Sequence, residues 1–213
     1  MEHLGYELTP ELAQEAFDRD KAEMLDAFNA RYVTINQERT PAGCLGLFKV
    51  TVHVKSYILT CEEDTSPKPV DKLVFYVKVF DNYPAIAPKL YFAPNCRLAH
   101  VNTYRNGTQC IDKWGKYSSL KNAVEKTIRA IIYDENVTKY NSKACSSIEA
   151  WQKQMAEKKV FPMLNPPDLI LKESKAAEVP VSVRSPLPPP LPGRRPASEP
   201  KRTTLPPPLP GRR

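Results

Sequence analysis

Proline divides this chain in two. Seven of its 22 prolines fall in residues 1–161 and fifteen in residues 162–213. Proline locks φ and offers no N–H to a helix or a sheet ladder, so regular elements are expected in the first segment. The second segment also carries 9 Lys and Arg against 4 Asp and Glu, which is +5 of the formal net charge of +7. Residues 1–161 are therefore nearly neutral. A body of ~160 residues buries roughly 70% of its unfolded surface around one core, so one domain suffices. The positive excess lies in the tail, which disfavours a body that grips nucleic acid through a basic face. The expectation is one domain over residues 1–161, followed by a disordered, basic, proline-rich tail over residues 162–213.

No stretch approaches the ~20 apolar residues needed to span a bilayer, and no membrane partner is expected. The first twelve residues include Glu2, Glu7 and Glu11 and lack the regions of an export signal. The five cysteines, Cys44, Cys61, Cys96, Cys110 and Cys145, are odd in number and include no C-x-x-C pair. The expectation is a cytoplasmic protein with reduced thiols and no structural zinc.

Within the body, hydrophobic period separates the elements. Thr9-Pro10-Glu11 suits a helix start, because Thr caps free N–H groups and Pro at the first position loses nothing. Leu12, Ala16, Phe17, Met24, Leu25 and Phe28 then recur at helical spacing. A short β-rich run occupies residues 32–35. Phe48, Val50, Val52 and Val54 alternate with Lys49, Thr51, His53 and Lys55, a strand with one wet face. Residues 61–71, with Pro67 and Pro69, read as a turn. Leu73, Phe75, Val77 and Val79 alternate again, and residues 89–92 make a fourth strand. No period holds across residues 95–117, and a loop that long inside a compact body is usually functional. Two helical stripes follow, Leu120, Val124, Ile128, Ile131 and then Ala144, Ile148, Trp151, Met155. Grouped strands and grouped helices predict an α+β fold: N-terminal helix, four-stranded antiparallel meander, long loop, C-terminal helices.

The long loop contains His100-Val101-Asn102 and, eight residues past Asn102, Cys110, with Gly107 and Asp112 nearby. Ahead of it lies Tyr83-Pro84-Ala85-Ile86-Ala87-Pro88. These residues resemble the active-site signature of the ubiquitin-conjugating enzyme family. That signature is Tyr-Pro-x-x-Pro-Pro, then His-Pro-Asn, then the active cysteine eight residues on. Ala87 and Val101 stand where the family has proline. The resemblance covers about residues 10–160, and the order of elements agrees with it. Divergence of this degree is similar to that of bacterial members found in ubiquitin-like conjugation operons.

The resemblance implies a UBC-like fold and an acyltransferase. Cys110 would carry a ubiquitin-like modifier as a thioester, received from an activating enzyme and passed to a lysine amine or a ligase. Cysteine suits the task because its thiolate is both a nucleophile and a leaving group near neutral pH. Asn102 is implied to stabilise the oxyanion of the tetrahedral intermediate or to brace the loop. In other acyl-transfer enzymes, losing such a donor costs ~3 kcal/mol. His100 is implied to be structural, hydrogen-bonded within the loop and not a base. Asp112, Tyr83 and Pro84 are implied to support the loop. No metal or organic cofactor is expected of the chain itself. Val101 gives up a fixed φ at the turn. The family's acidic residue after the loop has no counterpart in residues 136–140, and Asp134 and Glu135 are the nearest carboxylates.

The residues alone leave alternatives. Cys110 could pair with His100 as an unrelated cysteine hydrolase, or the fold could be a catalytically inactive binding or adaptor module. Trp114 and Tyr117 read as packing residues that seat the loop. Cys44, Cys61, Cys96 and Cys145 read as ordinary small, semi-buried residues, and His53 as a surface one.

In the tail, residues 187–195 read LPPPLPGRR and residues 205–213 repeat the same nine. Each copy holds Pro-x-x-Pro-x-Arg: Pro189, Pro192 and Arg194, then Pro207, Pro210 and Arg212. Such a polyproline segment suits an aromatic groove flanked by acid, and two copies on one tether give avidity. The other reading is a solvated spacer.

Overall fold

The computed structural model describes residues 8–111, 113–115, 118–141, 143–163 and 170–172. Its first helix, α1, spans Pro10–Ala27; Thr9 caps it by accepting from the Leu12 amide at 3.3 Å. The buried face is Ala13, Phe17, Asp20 and Met24. Leu12 and Leu25, expected in the apolar stripe, are instead 48% and 44% exposed. The displaced position is Asp20, a carboxylate 4% exposed that accepts the hydroxyl hydrogen of the buried Tyr83. Apolar periodicity cannot register a face whose central residue is a carboxylate with a partner far along the chain.

Four strands form one antiparallel sheet in the order β1-β2-β5-β6: Val33–Gln37, Cys44–Val52, Leu73–Phe80 and Lys89–Phe92. This is the expected meander, in a register that pairs Val50 with Phe75 and Phe75 with Phe92. Alternation sends Phe48, Val50, Val52, Leu73, Phe75, Val77 and Val79 to the buried face. Gly46 lies beside the irregularity in β2. A Cβ there would stand 2.7 Å from the Phe17 ring, so the missing side chain is what lets α1 approach the sheet.

A second sheet, β4-β3-β7, is absent from the sequence expectation: β3 is Ser56–Leu59, β4 is Lys68–Val70 and β7 is Arg97–Leu98. The segment read as a turn over residues 61–71 thus contains a strand. Pro69 is tolerated because β4 pairs on one side only, with β3. At the other edge, β7 pairs Leu98 with Ile58, which draws the start of the long loop into regular structure.

Helix α2 spans Leu120–Ile131, is capped by Ser119, and buries the expected Leu120, Val124, Ile128 and Ile131 together with Ala123 and Thr127. It packs against α1 and closes the main core of Phe17, Met24, Phe48, Phe75 and Phe92. Helix α3 is shorter than expected. It spans Glu149–Glu157, so Ala144 precedes it and Ile148 is its cap. A small separate cluster joins Leu59, Ala99, Val101, Cys145 and Ile148.

The chain divides into two units, Met1–Ser174 and Lys175–Arg213. The first extends past the expected boundary at residue 161. Ile170 is buried, Leu171 bridges Phe28, and the Lys172 amide donates to Ala27 O at 2.9 Å. The duplicated tail motif, with Pro189, Pro192, Arg194, Pro207, Pro210 and Arg212, lies outside the described residues. No helix among the described residues is long and apolar enough to cross a membrane.

Candidate active site

The long loop is a hydrogen-bonded structure anchored at both ends. At its start, Ala99 donates to Tyr57 O at 3.0 Å and prolongs the pairing of β7 with β3. At its end, Phe92 donates to Gly107 O and Gln109 to Leu90 O, both at 2.9 Å, which lays residues 107–109 along the free edge of β6. Gly107 has φ +82, and a Cβ on it would stand 2.6 Å from Phe92 O. Only glycine accepts both that backbone and that approach.

Between these anchors the chain turns back on itself. Thr103 bridges Gln109, Tyr104 N–H donates to Thr108 O at 2.8 Å, and Cys110 N–H donates to Asn102 O at 2.9 Å. Side chains alternate across such a pair. Thr103 and Gln109 face inward, buried, with the Thr103 hydroxyl donating to Gln109 Oε1 at 2.8 Å. Asn102, Tyr104, Thr108 and Cys110 occupy the other face. Cys110 is half-buried. Tyr104 is 45% exposed; the charge of the Cys110 sulfur beside it, then burial, then a hydrogen bond to that sulfur raise its phenol above the ordinary value. Tyr104 was missed in the sequence; the alternation about the Thr103–Gln109 bridge identifies it.

His100 is fully buried. Its Nδ1 accepts from Asn102 N–H at 3.1 Å, and its Nε2 lies 3.2 Å from Thr138 Oγ1. The Thr138 hydroxyl donates to Asp134 O at 3.1 Å, so its oxygen accepts from Nε2–H and the tautomer is fixed. Burial pushes the imidazole down to about 3. A neutral ring with both nitrogens engaged has no free lone pair for a thiol proton, which counts against a His100–Cys110 hydrolase dyad. The Asn102 side chain, 5% exposed, accepts from Lys139 N–H at 3.0 Å and donates to Lys139 O at 3.2 Å. Its backbone meanwhile holds Cys110.

Val101 is held in the turn by hydrogen bonds. Its N–H, which a proline would lack, donates to Gln152 Oε1 at 3.0 Å. Its carbonyl accepts from Ala144 at 2.7 Å and from Cys145 at 2.9 Å. Gln152 is 1% exposed and is the buried residue of α3. In the sequence it is one polar residue beside an apolar stripe, with nothing to distinguish it from a surface position.

The structure brings His100, Asn102 and Cys110 together. Tyr83 and Pro84 join a second group. Tyr83 is bonded to Asp20 and lies 5.9 Å, ring to ring, from Trp114, whose Nε1 donates to Pro84 O at 2.7 Å. Asp112 and Tyr117 lie outside the described residues. Asp134, one of the two nearest carboxylates after the loop, is taken: Oδ2 accepts from Arg129 at 2.8 Å and Oδ1 from the Asn136 amide at 3.0 Å. Burial raises its carboxyl, and Arg129 and Asn136 more than offset this, leaving it below the ordinary range. Among the described residues, no three His, Cys, Asp or Glu side chains are grouped to hold a metal ion.

No family model and no curated protein matches the chain. Among solved structures it is similar to Saccharomyces cerevisiae Ubc12, at 16% identity and TM-score 0.43, covering 68% of this chain and 70% of that one. It is also similar to the human ubiquitin-conjugating enzyme E2 G1, at 15% identity and TM-score 0.38, covering 59% of this chain and 98% of that one. Likeness at this level carries no argument, and the functional reading rests on the chain's own residues.

Proposed function

We propose that the chain is a conjugating enzyme of UBC-like fold that carries a ubiquitin-like modifier as a thioester on Cys110. The observation that supports this is the turn spanning His100 to Cys110, in which Asn102 O holds the Cys110 amide at 2.9 Å while a neutral, buried His100 braces Asn102. A half-buried cysteine on a rigid, sheet-anchored turn is accessible and positioned, which thioester exchange requires.

In the first step the Cys110 thiolate adds to the carbonyl carbon of the modifier's thioester on its activating enzyme. A new S–C bond forms, the old one breaks, and the activating enzyme's thiolate leaves. In the second step an amine, or a ligase thiol, adds to the same carbon and Cys110 departs as thiolate. The proton of an attacking amine passes to solvent, since His100 is engaged at both nitrogens. Tyr104 stands beside the reacting sulfur, and Asn102 braces the turn or donates to the oxyanion. The duplicated tail motif is read as a docking peptide for a polyproline-binding domain.

The test is loading. Full-length chain with its activating enzyme, modifier and Mg²⁺-ATP should form an adduct that reductant removes and that Cys110→Ala cannot form. An adduct that persists in Cys110→Ala, or none in the unsubstituted chain, refutes the proposal.

A further inference from the structure

Arg97, in β7, is 1% exposed. A guanidinium keeps its proton in proteins, and a charge withdrawn from water needs a counter-charge. Its Nη2 donates to the carbonyls of Cys61 at 3.1 Å and Glu62 at 3.3 Å. Its Nε has no hydrogen-bond partner. Its Nη1 lies 3.8 Å from Cys145 Sγ, and no ion pair joins Arg97 to a carboxylate among the described residues. The ionisable group that meets this charge is a thiol.

Cys145 is 2% exposed, in the cluster with Leu59, Ala99, Val101 and Ile148, and its sulfur lies 3.2 Å from the Ser147 hydroxyl. We infer that Cys145 is a standing thiolate, the buried counter-ion of Arg97, so that the chain carries an ionised sulfur distinct from Cys110. Burial alone would raise the thiol; Ser147 and Arg97 more than offset it and hold it below the ordinary value. Cys96, half-buried, has burial as its one influence and is pushed up. The polar groups acting on the Cys145 sulfur are Arg97 from β7 and Ser147 ahead of α3. Tyr57 and Tyr140 border the cluster, whose other members are apolar except at the Trp151 indole.

The pair has a structural consequence. The Ala144 and Cys145 amides both donate to Val101 O, between His100 and Asn102. The residue paired with Arg97 thus holds one side of the turn that carries Cys110 through its backbone amide. A thiol whose folded value lies below the unfolded one adds stability that is complete above about pH 8.5 and is lost as pH falls through the folded value.

The inference does not depend on the thioester reading and is tested separately. Full-length chain labelled with ¹³C at the cysteine β-carbon is titrated by NMR, with Cys145→Ser assigning the resonance. The expected result is a thiolate shift for Cys145 at neutral pH. Arg97→Met should raise its midpoint by about a pH unit or more, at least tenfold in the ionisation constant. Cys145 found as a thiol at neutral pH in the unsubstituted chain overturns the inference, as does an unchanged midpoint in folded Arg97→Met. The first of these measurements remains decisive if Arg97→Met does not fold.

Discussion

Gln152→Leu should destabilise this protein although it adds apolar surface to a buried site. Gln152 is 1% exposed and Val101 is fully buried, and the bond between Gln152 Oε1 and Val101 N–H is 3.0 Å long. Leucine cannot accept that hydrogen bond, and solvent cannot reach the amide to replace it. The penalty for an orphaned buried donor is about 1–3 kcal/mol. The apolar gain of leucine over the glutamine stem offsets a fraction of that, leaving a loss of about 1–2 kcal/mol, or roughly 2–8 °C in melting temperature for a chain of this size. Val101→Pro alone should also destabilise, because it orphans Oε1 in the same dry site. The double variant removes both partners, so its cost should fall below the sum of the singles by about 1 kcal/mol or more. Urea denaturation followed by tryptophan fluorescence reports both quantities, since Trp151 neighbours Gln152. A Gln152→Leu chain as stable as the parent, or strictly additive single substitutions, would refute the reasoning that the amide–glutamine bond holds this turn.

Three further outcomes follow from the same geometry. Gly107→Ala should cost about 1–2 kcal/mol for the left-handed backbone alone, with more from the 2.6 Å approach to Phe92 O; thermal melting and Cys110 loading should fall together. His100 is held neutral with a folded value of about 3, below its ordinary 6.5. Its contribution to stability is complete above pH ~6.5 and is lost as pH falls toward 3, at up to about 1.4 kcal/mol per unit; folded His100→Gln should flatten that slope in pH-dependent denaturation. Tyr104→Phe removes the O–H beside Cys110 and should slow alkylation of that thiol by iodoacetamide at neutral pH by several-fold, leaving the melting temperature nearly unchanged because the ring is 45% exposed.

The strand alternations were legible because period two is a local property. Phe48, Val50 and Val52 announce a buried face whatever lies opposite them. Leu120, Val124, Ile128 and Ile131 do the same for α2. The spacing of His100, Asn102 and Cys110 was legible because it lies within one stretch of chain. The second sheet was not legible, because β4 is three residues long and contains Pro69. The buried face of α1 was misread because Asp20 is polar, and its partner Tyr83 is 63 residues away. Val101 read as a lost restraint, because the acceptor that holds its N–H is 51 residues further on. Cys145 read as an ordinary thiol, because Arg97 lies 48 residues before it.

By itself, then, the sequence determined the type and order of the helices and of the four main-sheet strands, since each depends on neighbours within a few residues. Only the tertiary structure decided which polar side chains are buried and what each one meets. A buried carboxylate, amide or guanidinium is tolerable only with a partner, and here those partners come from distant parts of the chain.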